Sequence, residues 1–455
     1  MDNLTKQIAA YACGVSFSDL PDAIVDGARQ RVLDSIGCAL GGSTSEPVGI
    51  ARRLVQGSAP AVYPGRVLGS KMQASAESAT FNNTAMIRYL DFNDGHHAGH
   101  PSDMIGALLA LTEAAGGDGK RLISSIVVAY EVGLRMVRAT EMREKGWDQG
   151  FAIGIGTTAG VGHLLGLSAE QIGHAVSITA VANVPMRATR AGKLSHWKGV
   201  ASAFACRNAV FATLLAAEGM TSPDKPFEGR HGLWEQITGP FELPPFPDVG
   251  GEYVLLASKF KYWPVEGNTL TAVWAALDLR EKVKAEDIAA IDLDTYWSAW
   301  HETASEPEKW DPKTRETADH SMPYIFARTF VDGTIKVSSF NSEPVSDPAL
   351  RPLMNKIKVH NSEEVEVIYK STYPFTYFLR ATVTKNDGEK IAVEIKNPRG
   401  TTQNPMNSDE VAAKFCNLVE PVIGGERAAA AAEIWGKIDT VKDMSRAFDM
   451  LDLLA

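Results

Sequence analysis

Apolar residues recur at helical spacing along the first half of the chain. Ile24, Ala28, Val32, Ile36 and Leu40 fall four positions apart and predict one buried helix face. Pro21 suits the first turn of that helix, and Gly41-Gly42 closes it. The same pattern predicts helices at about 47–56, 74–89, 102–115, 119–140, 151–167 and 169–184. Small residues crowd them, as in Thr157-Thr158-Ala159-Gly160-Val161-Gly162, and let buried helices approach closely. The pattern points to a large, tightly packed all-helical domain.

The period changes after Trp263-Pro264. A helix at about 269–284 precedes a strand at 288–296, where apolar or β-branched residues alternate with acids from Ile291 onward. A helix at about 323–330 follows, then strands at 356–360, 376–385 and 390–395. Asn386-Asp387-Gly388 supplies a hairpin turn between the last two. From Ser408 the chain returns to helix. The fold class expected is mainly α with a smaller α+β domain. Its predicted parts are an all-helical domain at 1–264, an inserted α+β lid at 265–405, and C-terminal helices at 406–455 that return to the helical domain.

Composition narrows the function classes. A chain of 455 residues has room for two domains with large cores. Its net charge of −10 argues against a nucleic-acid partner, which needs a basic surface. It lacks the unbroken apolar run of about 18 residues that a membrane span requires. Met1-Asp2-Asn3-Leu4-Thr5-Lys6 carries neither the basic nor the apolar region of a signal peptide. Cys13, Cys38, Cys206 and Cys416 are far apart, so a cysteine-built metal or cluster site is not expected and a reduced cytoplasmic setting is.

Candidate chemistry concentrates in Tyr89-Leu90-Asp91-Phe92-Asn93-Asp94-Gly95-His96-His97-Ala98-Gly99-His100-Pro101-Ser102-Asp103. This stretch holds three acids and three of the ten histidines, and an apolar run follows at once. One reading is a polar loop with His100 as N-cap and Pro101 at the first helical position. The other is a loop that delivers acid and base groups to a helix N-terminus, whose partial positive charge and amides favour a carboxylate. Histidine titrates nearest neutrality, and Asp91 is placed to orient a histidine or share its proton. A metal is the rival use: His97-x-x-His100 with Asp91 or Asp94 offers enough ligands but matches no strong zinc template.

Gly154-Ile155-Gly156-Thr157-Thr158-Ala159 fits the loose dinucleotide pattern, yet Glu144-Lys145-Gly146-Trp147-Asp148-Gln149 before it is no strand. Helix packing explains it better. Arg187, Arg190, Lys193 and Lys198, and separately Lys259 and Lys261, set cations among aromatics and glycines. In an acidic protein they suggest an anion site, with a solvated face as the alternative. Tyr324, in His320-Ser321-Met322-Pro323-Tyr324, reads as a core tyrosine or a proton donor.

Leu90-Asp91-Phe92-Asn93-Asp94 and Gly99-His100-Pro101-Ser102-Asp103 resemble the signature of the MmgE/PrpD family. That family includes 2-methylcitrate dehydratases, cis-aconitate decarboxylases and an iminodisuccinate epimerase. Lys261-Tyr262-Trp263-Pro264 and His320-Ser321-Met322-Pro323-Tyr324 resemble further family elements, and Lys193 falls where the family places a lysine. The resemblance implies a helical domain with an α+β lid, a homodimer, and no organic cofactor. It also implies that Asp91, His100, Lys193, Lys261 and Tyr324 line one active site. Asn93, His97, Ser102, Arg187, Lys198 and His320 are the accompanying candidates for holding the substrate. Gly95 stands where the decarboxylases resembled carry threonine, and the region of Trp147-Asp148-Gln149 lacks their histidine.

The function expected is therefore a hydro-lyase acting on a hydroxy di- or tricarboxylate like 2-methylcitrate. In it, cations hold the carboxylates, His100 with Asp91 moves the proton α to a carboxylate, and Tyr324 or a lysine protonates the departing hydroxyl. An epimerase or isomerase, a decarboxylase, and a non-catalytic carboxylate-binding protein remain the alternatives.

Overall fold

Among the described residues, eleven helices of seven residues or more build the first of two units into which the chain divides, comprising Met1–Thr189, Gly199–Ser258 and Asn407–Ala455. The second unit is Arg190–Lys198 with Lys259–Met406. The computed structural model describes residues 1–55, 62–96 and 99–453. Among them no helix is long and apolar enough to cross a membrane. The fold is mainly α with a smaller α+β part.

In the first unit the Gly119–Thr140 and Gly150–Leu165 helices pack against each other, and the second also packs against Ala201–Ala217. Glycine permits this closeness. A Cβ on Gly156 would lie 2.4 Å from the Met104 sulfur and 2.6 Å from the Ala129 carbonyl. The Gly154–Ala159 pattern is thus a buried helix interface. The Ser408–Ile423 helix, capped by Asn407 and Glu410 reciprocally, packs along Asp22–Gly41. At Gly37 an added Cβ would meet the Phe415 backbone at 3.2 Å.

Two helical expectations change in detail. The segment read as a helix from 102 begins as a 3-10 turn, Pro101–Met104, and is α-helical only over Ile105–Leu111. The helix read from 74 begins at Ala76, because Gln73–Ser75 pairs antiparallel with Pro64–Arg66.

The second unit holds a four-stranded sheet in the order Ile357–Asn361, Ile288–Thr295, Phe378–Lys385, Lys390–Lys396. The first pair is parallel with Leu293 opposite Val359; the others are antiparallel with Leu293 opposite Ala381 and Ala381 opposite Val393. The shared period of two puts these apolar residues on one face. The Leu270–Arg280 and Met322–Asp332 helices complete that core.

Candidate active site

The 91–103 loop starts where the Ala76–Tyr89 helix ends. Asp91 takes a left-handed backbone, φ +52°, which a non-glycine residue holds only when its surroundings enforce it. Its amide donates to the Arg88 carbonyl (3.0 Å), and the Arg88 guanidinium bonds its carboxylate. Both side chains are buried.

The loop is then tied by its own polar groups. The Asn93 amide donates to Ser102 Oγ (2.8 Å) and Asp103 Oδ1 (2.9 Å). Asp94 accepts from the Ser102 amide (3.0 Å) and from the Tyr130 hydroxyl (2.9 Å), with Arg31 Nε 3.7 Å away. His96 and Gly99 exchange two backbone hydrogen bonds. His97, a substrate-binding candidate, lies outside the described residues.

His100 is held through Nδ1 and its backbone amide. Nδ1 lies 2.8 Å from the Asp94 carbonyl, which can only accept, so Nδ1 carries the proton. That leaves Nε2, 3.4 Å from Asp91 Oδ1, as the nitrogen that gains or releases a proton. The His100 amide donates to Gln149 Oε1 (2.9 Å), and Gln149 Nε2 donates to Ser202 Oγ (2.9 Å). His100 keeps 15% side-chain exposure while Asp91 keeps 1%. The arrangement is a partly accessible imidazole backed by a desolvated carboxylate, which stabilises the imidazolium formed when Nε2 takes a proton.

One expectation fails here. The helix end does not offer free amides to an anion, because the Ser102 amide is taken by Asp94 and the Asp103 amide by the His100 carbonyl (3.1 Å).

In the second unit, Lys198 is buried with its ammonium 3.2 Å from Asp319 Oδ1 and 3.3 Å from His320 Nδ1. His320 Nδ1 lies 2.6 Å from the same Asp319 oxygen. Lys309 is buried as well. Burial pushes its pKa down, Glu306 pulls it back up, and Lys198 adds to the fall. In sequence it reads as a surface charge beside Glu308, so nothing there singled it out.

Lys261 is buried, and Lys259 beside it lies 3.6 Å from the Tyr377 ring centroid. Burial pushes Lys259 down to about 7, against the pull of Glu266. Lys193 is exposed on the surface of its unit, five residues before the buried Lys198. Tyr324 is fully buried in the second core, and its hydroxyl donates to the Ser339 carbonyl. Arg187, half-buried in the first unit, opens a 3-10 turn after its amide bonds the Gly146 carbonyl (2.9 Å).

Asp91, Asn93, His100 and Ser102 are thus gathered in the first unit, and Lys198 with His320 in the second. Arg88, Gln149, Asp319 and Lys309 join these groups although none of them is a candidate site residue in the sequence analysis. Arg88 and Gln149 are polar residues in helical or turn contexts, where no spacing marks them.

Residues 6–245 match the MmgE/PrpD N-terminal domain and residues 263–439 the MmgE/PrpD C-terminal domain. The chain is 27% identical over 396 residues to a 2-methylcitrate dehydratase of Salmonella typhi, covering 82% of this chain and 81% of that protein. An alkylcitrate dehydratase of a fungal species is 28% identical over 446 residues, 90% of this chain and 86% of its own. A cis-aconitate decarboxylase-like protein of Aspergillus oryzae is 26% identical over 475 aligned positions, 97% of this chain and 96% of its own.

Proposed function

The chain belongs to the MmgE/PrpD family, and from that premise we propose that it is a hydro-lyase removing water from a hydroxy di- or tricarboxylate similar to 2-methylcitrate. Its dehydratase-named relatives support the reaction class. The observation that carries the reading is His100, with Nδ1 held by the Asp94 carbonyl and Nε2 facing Asp91.

In the proposed reaction Nε2 removes the proton α to a carboxylate. The electron pair of that C–H bond forms the new C=C bond. The C–O bond on the neighbouring carbon breaks, and the hydroxyl leaves as water with a proton from a lysine ammonium. Asp91 stabilises the imidazolium throughout. Ser102 and Asn93 hold the loop geometry and offer polar contacts to substrate. Lys261, Lys198 and Arg187 are the proposed carboxylate partners, with His320 oriented beside Lys198.

Lys198, buried against Asp319, takes the place that sequence reasoning assigned to the exposed Lys193. Tyr324 is left out of this set because its hydroxyl is committed to a backbone carbonyl in the core. The proposal extends to a cytoplasmic homodimer that needs no organic cofactor, as the family resemblance implies.

Incubation with a panel of hydroxy acids tests the reading. A rise in ultraviolet absorption from a conjugated alkene, without release of carbon dioxide, is the expected result. Solvent deuterium uptake at the α carbon with no alkene would make the protein an epimerase. Thermal stabilisation by citrate-like acids without turnover would make it a binding protein.

A further inference from the structure

A buried ion pair in the first unit plays no part in the reaction just described. Asp34, on the Asp22–Gly41 helix, has no side-chain exposure, and Lys414, on the Ser408–Ile423 helix, retains 6%. Their charged atoms are 2.7 Å apart. Burial pushes the Asp34 carboxyl up, and Lys414 pulls it back. Such a pair is a poor source of stability, because desolvation offsets the attraction. Its geometry shows another use. Lys414 Nζ also donates to the Phe92 carbonyl (2.7 Å) and lies 3.9 Å from the Phe92 ring centroid.

Phe92 directly follows Asp91, the residue held at φ +52°. A left-handed aspartate relaxes unless the peptides on both sides of it are fixed. The preceding side is fixed by the bond from the Asp91 amide to the Arg88 carbonyl (3.0 Å) and by the Arg88 guanidinium. The following side is fixed by Lys414. The ammonium is itself held in place by Asp34 and seated on the Phe92 ring, so it locks both the carbonyl and the side chain of that residue. The close approach of the two helices at Gly37 brings Lys414 within reach.

We propose that the Asp34–Lys414 pair is a positioning device for the Asp91 carboxylate. Lys414 locks the peptide after Asp91 and thereby keeps Asp91 Oδ1 against Nε2 of His100. The C-terminal helix thus supports the reactive loop without touching substrate. The kinetic consequence rests on the hydro-lyase reading; the consequence for the His100 ring does not.

Asp34→Asn serves as the reference background, since Lys414→Met alone would strand a buried carboxylate. Adding Lys414→Met to it is expected to lower kcat by about 10- to 100-fold, the scale of a small misplacement of reacting groups. KM should stay within about twofold, as for an interaction felt mainly in the transition state. The nitrogen-15 resonances of the His100 ring should move as Nε2 loses its contact with Asp91. Lys414→Arg in place of Lys414→Met keeps a donor for the Phe92 carbonyl and should restore part of kcat.

A folded double variant with the kcat of its Asp34→Asn parent overturns the proposal. So does a loss of kcat with His100 resonances unmoved, which marks general loosening. Should the double variant not fold, Lys414→Gln in the same background replaces it. Its shorter neutral side chain should give the same two changes at smaller size, and parental values of both overturn the proposal. The nitrogen resonances need no substrate, so they decide the positioning claim even where no hydroxy acid is turned over.

Discussion

At the scale of single residues, groups that look alike in sequence have distinct surroundings: His100 is partly accessible beside Asp91, whereas Tyr324 is fully buried. In the proposed reaction His100 moves the proton. His100→Ala should remain folded and lose about 10²-fold or more in kcat, the usual effect of removing a general acid or base. Unchanged turnover with an unchanged pH profile would remove His100 from the mechanism. Tyr324 supports the core instead. Tyr324→Phe leaves the buried Ser339 carbonyl without its donor and should cost roughly 1–3 kcal/mol in a denaturant titration, with kcat of the folded protein retained. A large drop in kcat at unchanged stability would return Tyr324 to the chemistry. Lys259 is a buried cation lowered to about 7. Between that pH and the ordinary lysine value of about 10.4, the unfolded chain carries a proton that the folded one lacks. Stability should therefore rise with pH across this window, by up to about 1.4 kcal/mol per pH unit from this group. Lys259→Met should flatten the rise, and identical pH–stability curves would refute the shift. The residues easiest to name in advance were those in dense motifs, such as Asp91 and His100. Gln149 and Lys309 were hidden because a lone glutamine and a lysine beside a glutamate look like surface residues until the fold buries them.

At the scale of elements, legibility followed amphipathicity. The Asp22–Gly41 helix starts after Pro21 and the Gly119–Thr140 helix after its Asp118 cap, and the period of their apolar residues places both. The Ile288–Thr295 strand and the hairpin around Asn386-Asp387-Gly388 were legible from alternation and turn chemistry. The Ala201–Ala217 helix was not singled out. It is apolar almost all round, so no face stands out. The Asn3–Gly14 helix depends on its Asp2 cap and on tertiary contacts rather than on a long stripe. One of those contacts is testable. His163, on the Gly150–Leu165 helix, has Nδ1 2.8 Å from the Ala12 carbonyl and Nε2 2.9 Å from Ser124 Oγ. Burial, with Arg121 adding to it, lowers its pKa to about 4. As pH falls from about 6.5 toward 4, the unfolded chain gains a proton that the folded one refuses, so stability should be lost in that window. Denaturation midpoints of wild type and His163→Gln measured from pH 7 to 4 should converge as the pH falls. Parallel curves would show that His163 does not carry the effect.

At the scale of the whole molecule, two family domains span most of the chain, and the change in texture at Pro264 lies beside the second one's start at residue 263. Net charge argued against a nucleic-acid partner and cysteine spacing against a cysteine-built metal site; the carboxylate reading came from the motifs and the family they resemble, and neither identifies the substrate. Pocket shape depends on side chains far apart in the chain, and single-sequence periodicity does not bring them together. The groups of the first-unit site are engaged by protein partners, Asp91 by Arg88 and His100 by the Asp94 carbonyl. Activity should accordingly survive dialysis against a strong chelator, and loss restored by one divalent ion would make the 91–100 cluster a metal site. The most direct test of the central claim is proton NMR of 2-methylcitrate incubated with the wild-type protein and with folded His100→Ala. A dehydrated alkene product is expected with the wild type, and a rate at least about 10²-fold lower with the variant. Equal rates in the two proteins, or a product that keeps its hydroxyl, would contradict it.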